Sequence, residues 1–162
     1  MILKDGAHIH LIAACGTAMG SLAIMLRELG FRITGSDKHV YPPMSTYLED
    51  AGIELTEGFS ASNITHDTDL VIVGNAVSRG NPELEATLDA HIPYSSMPEI
   101  LRDYFISGLH SIVISGTHGK TTTTAITAHL FNYAGLDPSF LIAGIPNNFN
   151  HSHRLGKGEH FI

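Results

Sequence analysis

Only nine of the 162 residues are lysine or arginine, against sixteen aspartates and glutamates, which leaves a net charge of −7. A chain so poor in cations lacks the basic face that neutralises phosphates, so no nucleic-acid partner is expected. Cysteine is almost missing too: Cys15 stands alone. A single thiol excludes an internal disulfide framework and fits a reducing compartment. No apolar run approaches the ~20 residues that span a bilayer, and no membrane partner is expected. The start, Met1-Ile2-Leu3-Lys4-Asp5-Gly6, carries no long apolar segment with a small-residue cleavage site. Repeats and low-complexity stretches are lacking as well; the longest single-residue run is Thr121 to Thr124. These absences leave a soluble cytoplasmic protein as the expectation. Its 43% hydrophobic residues are enough to bury a core.

What is present alternates. His8 to Ala14 reads as a buried strand, Met19 to Leu29 as a helix stopped by Gly30, and Phe31 to Gly35 as a second strand. Pro42-Pro43 opens a helix to Ala51; Ile53 to Leu55 and Asp69 to Gly74 are strands. Asn81-Pro82-Glu83 has the form of a helix start: a capping side chain, a proline at the first helical position and an acid in the first turn. A brief strand at Ile92 to Tyr94 and a helix from Pro98 to Tyr104 follow. Beyond them come a strand from His110 to Ser115, a helix from Lys120 to Ala134 and a strand from Ser139 to Ala143. This alternation predicts an α/β fold with a Rossmann-like parallel sheet covered on both faces and ligands at the strand ends. The order of strands should switch beside the first one.

Charge marks a division. Residues 1–107 hold fourteen acids and six bases, while residues 108–162 hold two and three. The expectation is a complete Rossmann-like domain over 1–107, then the truncated beginning of a second, P-loop domain over 108–162. Its apolar strand residues, Ile112, Ile114, Leu141 and Ile142, are expected to lie uncovered.

The sharpest motif is Gly116-Thr117-His118-Gly119-Lys120-Thr121-Thr122, between an apolar strand and a helix. Glycines let successive backbone N–H groups curl around an anion, and the helix N-terminus adds its positive end. Lys120 can reach terminal phosphates and the Thr121 hydroxyl can ligate Mg²⁺. Four consecutive threonines make a poor helix start unless something is bound there. The spacing is shorter than the general P-loop, which wants a glycine where Ile114 stands. His118 is either a phosphate donor or a loop filler.

A second turn, Ala13-Ala14-Cys15-Gly16-Thr17-Ala18-Met19-Gly20, follows the first strand and opens the first helix. Its position suits a dinucleotide fingerprint, but only Gly16 and Gly20 supply glycine. Asp37, after the second strand, sits where a ribose-binding acid would be. The turn reads either as tight helix–strand packing or as a nucleotide-diphosphate site, with NAD the weaker choice. Cys15 reads as a packed thiol rather than a nucleophile. Asn75, Arg79 and Asn81 follow a buried strand on the ligand edge. Arg79 suits an oxyanion, and Asn81 suits a helix cap. His151, His153 and His160 are read as solvated loop histidines, with metal binding as the alternative.

The short loop Gly-Thr-His-Gly-Lys-Thr-Thr resembles that of the Mur ligases, which make peptidoglycan precursors. The whole chain is similar to their first domain and the start of their central ATPase domain. Tyr41-Pro42-Pro43-Met44-Ser45-Thr46, Gly74-Asn75-Ala76 and Arg79-Gly80-Asn81-Pro82-Glu83 most resemble the branch joining UDP-N-acetylmuramate to a murein tripeptide. So do Gly144-Ile145-Pro146 and Arg154-Leu155-Gly156. The resemblance implies that ATP with Mg²⁺ phosphorylates the sugar's lactyl carboxylate, and that the peptide amine displaces phosphate to form an amide. It implies ATP contacts at Gly116, Thr117, His118, Gly119, Lys120, Thr121 and Thr122, with Lys120 catalytic and Thr121 on the metal. It implies UDP-sugar contacts at Gly16, Thr17, Met19, Gly20, Ser36, Asp37, Asn75 and Arg79. The alternatives are the L-alanine-adding member of the family and a non-catalytic nucleotide-sugar-binding module.

Overall fold

The computed structural model describes residues 3–162, which divide into two compact units between Ile100 and Leu101. In the first, a short apolar segment is buried over its whole length as strand β1 (His8–Ile12). Helix α1 (Thr17–Glu28) follows and buries Leu22, Met25 and Leu26. Then come β2 (Arg32–Asp37), α2 (Met44–Asp50), β3 (Glu54–Glu57) and a 3₁₀ turn over Ala61–Asn63. Strand β4 (Leu70–Val73), helix α3 (Pro82–Asp89), strand β5 (Tyr94–Ser96) and helix α4 (Met97–Leu101) complete the series.

All pairings in this sheet are parallel, in the order β3-β2-β1-β4-β5. The chain leaves β1 to one side for β2 and β3, then returns to its other side for β4. That reversal places a crevice at the carboxyl ends of β1, β2 and β4, where doubly wound sheets bind ligands. The expected switch beside the first strand is therefore present. Helix α3 starts as its sequence predicts, with Asn81 Oδ1 accepting from the N–H groups of Glu83 (2.9 Å) and Leu84 (3.1 Å).

The division expected after residue 107 falls earlier, at Ile100, where α4 runs on as a π-helical turn over Arg102–Ile106. The charge contrast does not resolve that difference, because residues 101–107 carry one acid, Asp103, and one base, Arg102.

The second unit holds β6 (His110–Ser111), helix α5 (Lys120–Tyr133), β7 (Phe140–Leu141), β8 (His153–Arg154) and β9 (His160–Phe161). Strands β6 and β9 are parallel, but β7 and β8 are antiparallel, a departure from the all-parallel expectation. The long strands read at His110 to Ser115 and Ser139 to Ala143 shrink to two residues each. Its core gathers Ala128, Phe140, Ile142 and Ile162. The Arg154 guanidinium lies 5.6 Å from the Phe140 ring centroid and 5.8 Å from that of Phe149.

Two expectations need correction here. His153 is no solvated loop histidine, since β8 carries it into the interior. Ile142 is buried, and Ile112, Ile114 and Leu141 are half-buried, rather than uncovered; among the described residues of this unit the exposed large apolar side chains are Val113, Ile126, Leu130, Tyr133, Leu136 and Ile145. A sequence cannot show which side of a two-residue strand faces inward, because alternation needs more residues than that.

Candidate functional site

Two clefts share Ala13, Asp37 and Ala76, so they form one crevice on either side of the Asp37 carboxylate. The first, of about 480 Å³, is lined by Cys15, Gly16 and Thr17 at the start of α1, and by His39, Tyr41 and Met44. The second, of about 390 Å³, is lined by Lys38, Phe59 and the segment from Val77 to Pro82, which includes Arg79. Asp37 fixes the turn that opens α1: its Oδ2 accepts the Cys15 N–H at 2.8 Å. The chain leaves β1 through Ala13, which holds a φ of 64°. That left-handed geometry is costly for a side chain and bends the loop over the strand ends. No side chain caps α1 at Gly16. Its amino end therefore presents backbone donors to the crevice, and Lys38 and Arg79 add positive charge across it. This is chemistry suited to a diphosphate.

Burial, with the Asp37 and Glu49 carboxylates nearby, pushes the Cys15 thiol up to about 11. It stays protonated near neutrality, in keeping with a packed thiol rather than a nucleophile.

Of the expected sugar-nucleotide contacts, Gly16 and Thr17 line the first cleft and Arg79 the second, with Asp37 in both. Other expected contacts lie elsewhere. Met19 is buried within α1, and Gly20 presses on Met44, whose Sδ would lie 2.7 Å from an added Cβ. Ser36 is buried and donates to Glu83 Oε2 at 2.5 Å. Asn75 lines a third cleft of about 550 Å³ with Tyr94, Ser95, Ser96 and Glu99, which meets the second at Val77. Sequence reasoning missed Lys38, His39, Tyr41 and Phe59. A signal for the first three was present, since they follow the carboxyl end of β2, the loop that faces a switch-point crevice.

In the second unit the glycine loop opens α5. Gly119 takes the N-cap place with a φ of 77°, a conformation that costs glycine little, and no side chain caps the helix. With no capping side chain, the backbone N–H groups of the first turn could meet an anion, so the loop fits a phosphate group. Lys120 Nζ donates to the carbonyls of Gly116 (2.8 Å) and Thr117 (3.3 Å), which folds the lysine over its own loop. Within the threonine run, Thr124 donates to the Lys120 carbonyl one turn back, as Thr127 beyond it does to that of Thr123. Thr117, His118, Thr121 and Thr122 are exposed around the loop. Among the described residues no group of three or more histidine, cysteine, aspartate or glutamate side chains could hold a metal, and no helix is long and apolar enough to cross a membrane.

A family profile described as Mur ligase family, catalytic domain, matches residues 8–106. The chain belongs to the Mur ligase family. It is 47% identical over 154 residues to the UDP-N-acetylmuramate–L-alanyl-γ-D-glutamyl-meso-2,6-diaminoheptandioate ligase of Escherichia coli, covering 95% of this chain and 34% of that protein. The Haemophilus influenzae ligase of the same name is 44% identical, with 96% and 34% covered. The UDP-N-acetylmuramate–L-alanine ligase of Neisseria gonorrhoeae is 36% identical, with 100% and 34% covered. Among solved structures, a UDP-N-acetylmuramate:L-alanyl-γ-D-glutamyl-meso-diaminopimelate ligase from Neisseria meningitides superposes with a TM-score of 0.90. The two are 41% identical, covering 95% of this chain and 51% of the other. A UDP-N-acetylmuramate-alanine ligase from Thermotoga maritima gives 0.85 at 28% identity, with 95% and 36% covered. The chain thus spans about a third of the length of the curated relatives it matches.

Proposed function

We propose that this chain is the UDP-N-acetylmuramate-binding part, with the phosphate loop, of a cytoplasmic ATP-dependent amide ligase that attaches a murein tripeptide. The observation that carries the reading is the crevice at the switch point. An uncapped helix start, two cations and one carboxylate converge there, as a nucleotide diphosphate joined to a sugar requires. The diphosphate lies at Gly16 and Thr17, with Arg79 and Lys38 neutralising it and Asp37 accepting from hydroxyl groups. The unit ending at Ile100 is the sugar-nucleotide domain, and the unit from Leu101 opens the ATP-binding one.

The phosphate loop supports the ligase over a module that only binds. Lys120 leaves its two loop carbonyls to hold terminal phosphate oxygens, while the N–H groups from Lys120 to Thr122 face the same charge. Thr121 offers its hydroxyl to Mg²⁺. When bound, ATP with Mg²⁺ supplies the phosphoryl group that activates the sugar's lactyl carboxylate. Identities of 47% and 44% to the tripeptide ligases, against 36% to an L-alanine ligase, favour the tripeptide as the amine substrate.

Calorimetry of the chain with UDP-N-acetylmuramate and with NAD tests this. The UDP-sugar should bind and NAD should bind more weakly. Tighter NAD binding, or a folded chain that ignores the UDP-sugar, would overturn the reading.

A further inference from the structure

Glu83 has no exposed surface at all, yet it is a carboxylate in the first turn of α3. Its side chain is not needed to cap that helix, because Asn81 already takes the first two N–H groups. Burying a carboxylate is costly unless donors surround it. Here they come from separate parts of the chain. Ser36 Oγ donates to Oε2 at 2.5 Å, Asn63 Nδ2 donates to Oε1 at 2.5 Å, and the Ser60 N–H donates to Oε1 at 3.3 Å. The His10 Nε2 lies 3.6 Å from Oε2, a close electrostatic contact just beyond hydrogen-bond reach. Burial alone would push the Glu83 carboxyl up, but its contacts with His10, Ser36 and Asn63 outweigh that and hold it below the usual glutamate value.

Each tethered segment stands next to a wall of the crevice. Ser36 precedes Asp37, Ser60 follows Phe59, and Glu83 itself follows the Arg79–Pro82 segment. The backbone closes the same circuit, since the Gly58 N–H donates to the Asp37 carbonyl at 2.8 Å and Asn63 Nδ2 also donates to the Gly58 carbonyl at 3.2 Å. We propose that Glu83 is a positioning residue for the crevice, tying three of its walls to one buried point. Its role in ligand affinity rests on the UDP-sugar reading above; the positioning itself does not.

Glu83 also sets a direction in a second chain of bonds. The Thr34 hydroxyl lies between His8 Nε2 (2.9 Å) and His10 Nδ1 (2.8 Å). A hydroxyl has one proton to give, so one ring donates to it and the other accepts. Asp67 Oδ2 lies at the same 3.6 Å from His8 Nδ1, but it is partly exposed and already paired with Arg32 at 2.6 Å, so the fully buried Glu83 carboxylate facing His10 Nε2 selects the proton there. His10 Nδ1 then accepts from Thr34, and His8 Nε2–H donates to Thr34. These proton positions are assigned from the partners.

The test is Glu83→Gln. Its amide oxygen can keep Ser60 and Asn63, which turns the NH₂ group toward Ser36 and His10. Nitrogen-15 NMR should then show the His10 ring proton moved from Nε2 to Nδ1. The backbone amides of Asp37, Phe59 and Arg79 should shift together, and calorimetry should show at least tenfold weaker UDP-N-acetylmuramate binding. Asn63→Ala removes one tether and keeps the charge; it should shift Phe59 and weaken binding several-fold, and it decides the matter if Glu83→Gln does not fold. Unmoved Asp37 and Phe59 amides in a folded variant would overturn the proposal. So would moved amides with an affinity within twofold of the parent chain. If the parent chain ignores the UDP-sugar, the functional reading falls, while the ring-nitrogen and amide shifts still decide the positioning role.

Discussion

Lys120 is exposed and lies folded on its own loop, bonded to two carbonyls and to no acid. Its stabilising value in the fold is therefore small, and its value with a phosphate large. In the full-length enzyme, Lys120→Ala should abolish phosphate release while calorimetry finds UDP-N-acetylmuramate affinity within a few-fold of the parent. At the same scale, His8 and Glu83 make stability depend on pH. His8 lies below its ordinary 6.5, chiefly through burial and then through the Arg32 charge. The unfolded chain takes up that proton as the pH falls through about 6.5, before the folded chain does, so stability drops on the acid side. Glu83 is also lowered, so its contribution is present above the ordinary glutamate range and is lost as the pH falls through its folded value. Thermal melts followed by circular dichroism should show the midpoint falling below about pH 6.5 and again below about pH 4. His8→Gln should flatten the upper step and spare the lower one.

Elements meet closely where the crevice forms. A Cβ at Gly74, just past β4, would lie 2.7 Å from the Ile12 carbonyl oxygen, which is held at the end of β1, and 3.0 Å from the Cβ of Ala13, the residue that follows it. At Gly20 the nearest atom is instead the Sδ of Met44, the end of a flexible side chain. Gly74→Ala should therefore cost about 2 kcal/mol, while Gly20→Ala should cost less than about 1 kcal/mol, because overpacking is relieved only where a neighbour can move. Urea denaturation of the two variants separates these outcomes. The long elements were legible in the sequence. The run of Leu22, Met25 and Leu26 marks α1 by its helical spacing, and Asn81-Pro82 marks the start of α3 by capping chemistry. The two-residue strands of the second unit were not legible, because nothing repeats often enough within them.

At the scale of the whole chain, the two units differ in how much each buries. The first centres on β1, flanked by β2 and β4, with Ile9, Leu11, Leu22, Met25 and Leu70 fully buried. The second has two-stranded sheets of two residues per strand and a core of four buried residues. Hydrogen exchange should protect the amides of β1 and β4 longest, and those of β6, β7 and β8 should exchange sooner, since local opening follows buried apolar contact. Exchange as slow in β6 and β7 as in β1 would contradict this ordering.

The sequence by itself determined the βα alternation, the glycine loop before Lys120, the cap at Asn81 and the Gly16 turn. Each depends on residues close together in the chain, whose backbone preferences act locally. Tertiary structure alone decided which of these residues share a site. It brought Arg79 into the cleft lined by Asp37 and Lys38, turned Met19 and Gly20 inward, and placed Asn75 in a third cleft. It also made an acid that reads as a first-turn dipole partner into a buried anchor. Residues 10, 36, 60, 63 and 83 come from separate parts of the sequence, and only the parallel crossovers bring their polar atoms to one buried carboxylate, which would be costly without them.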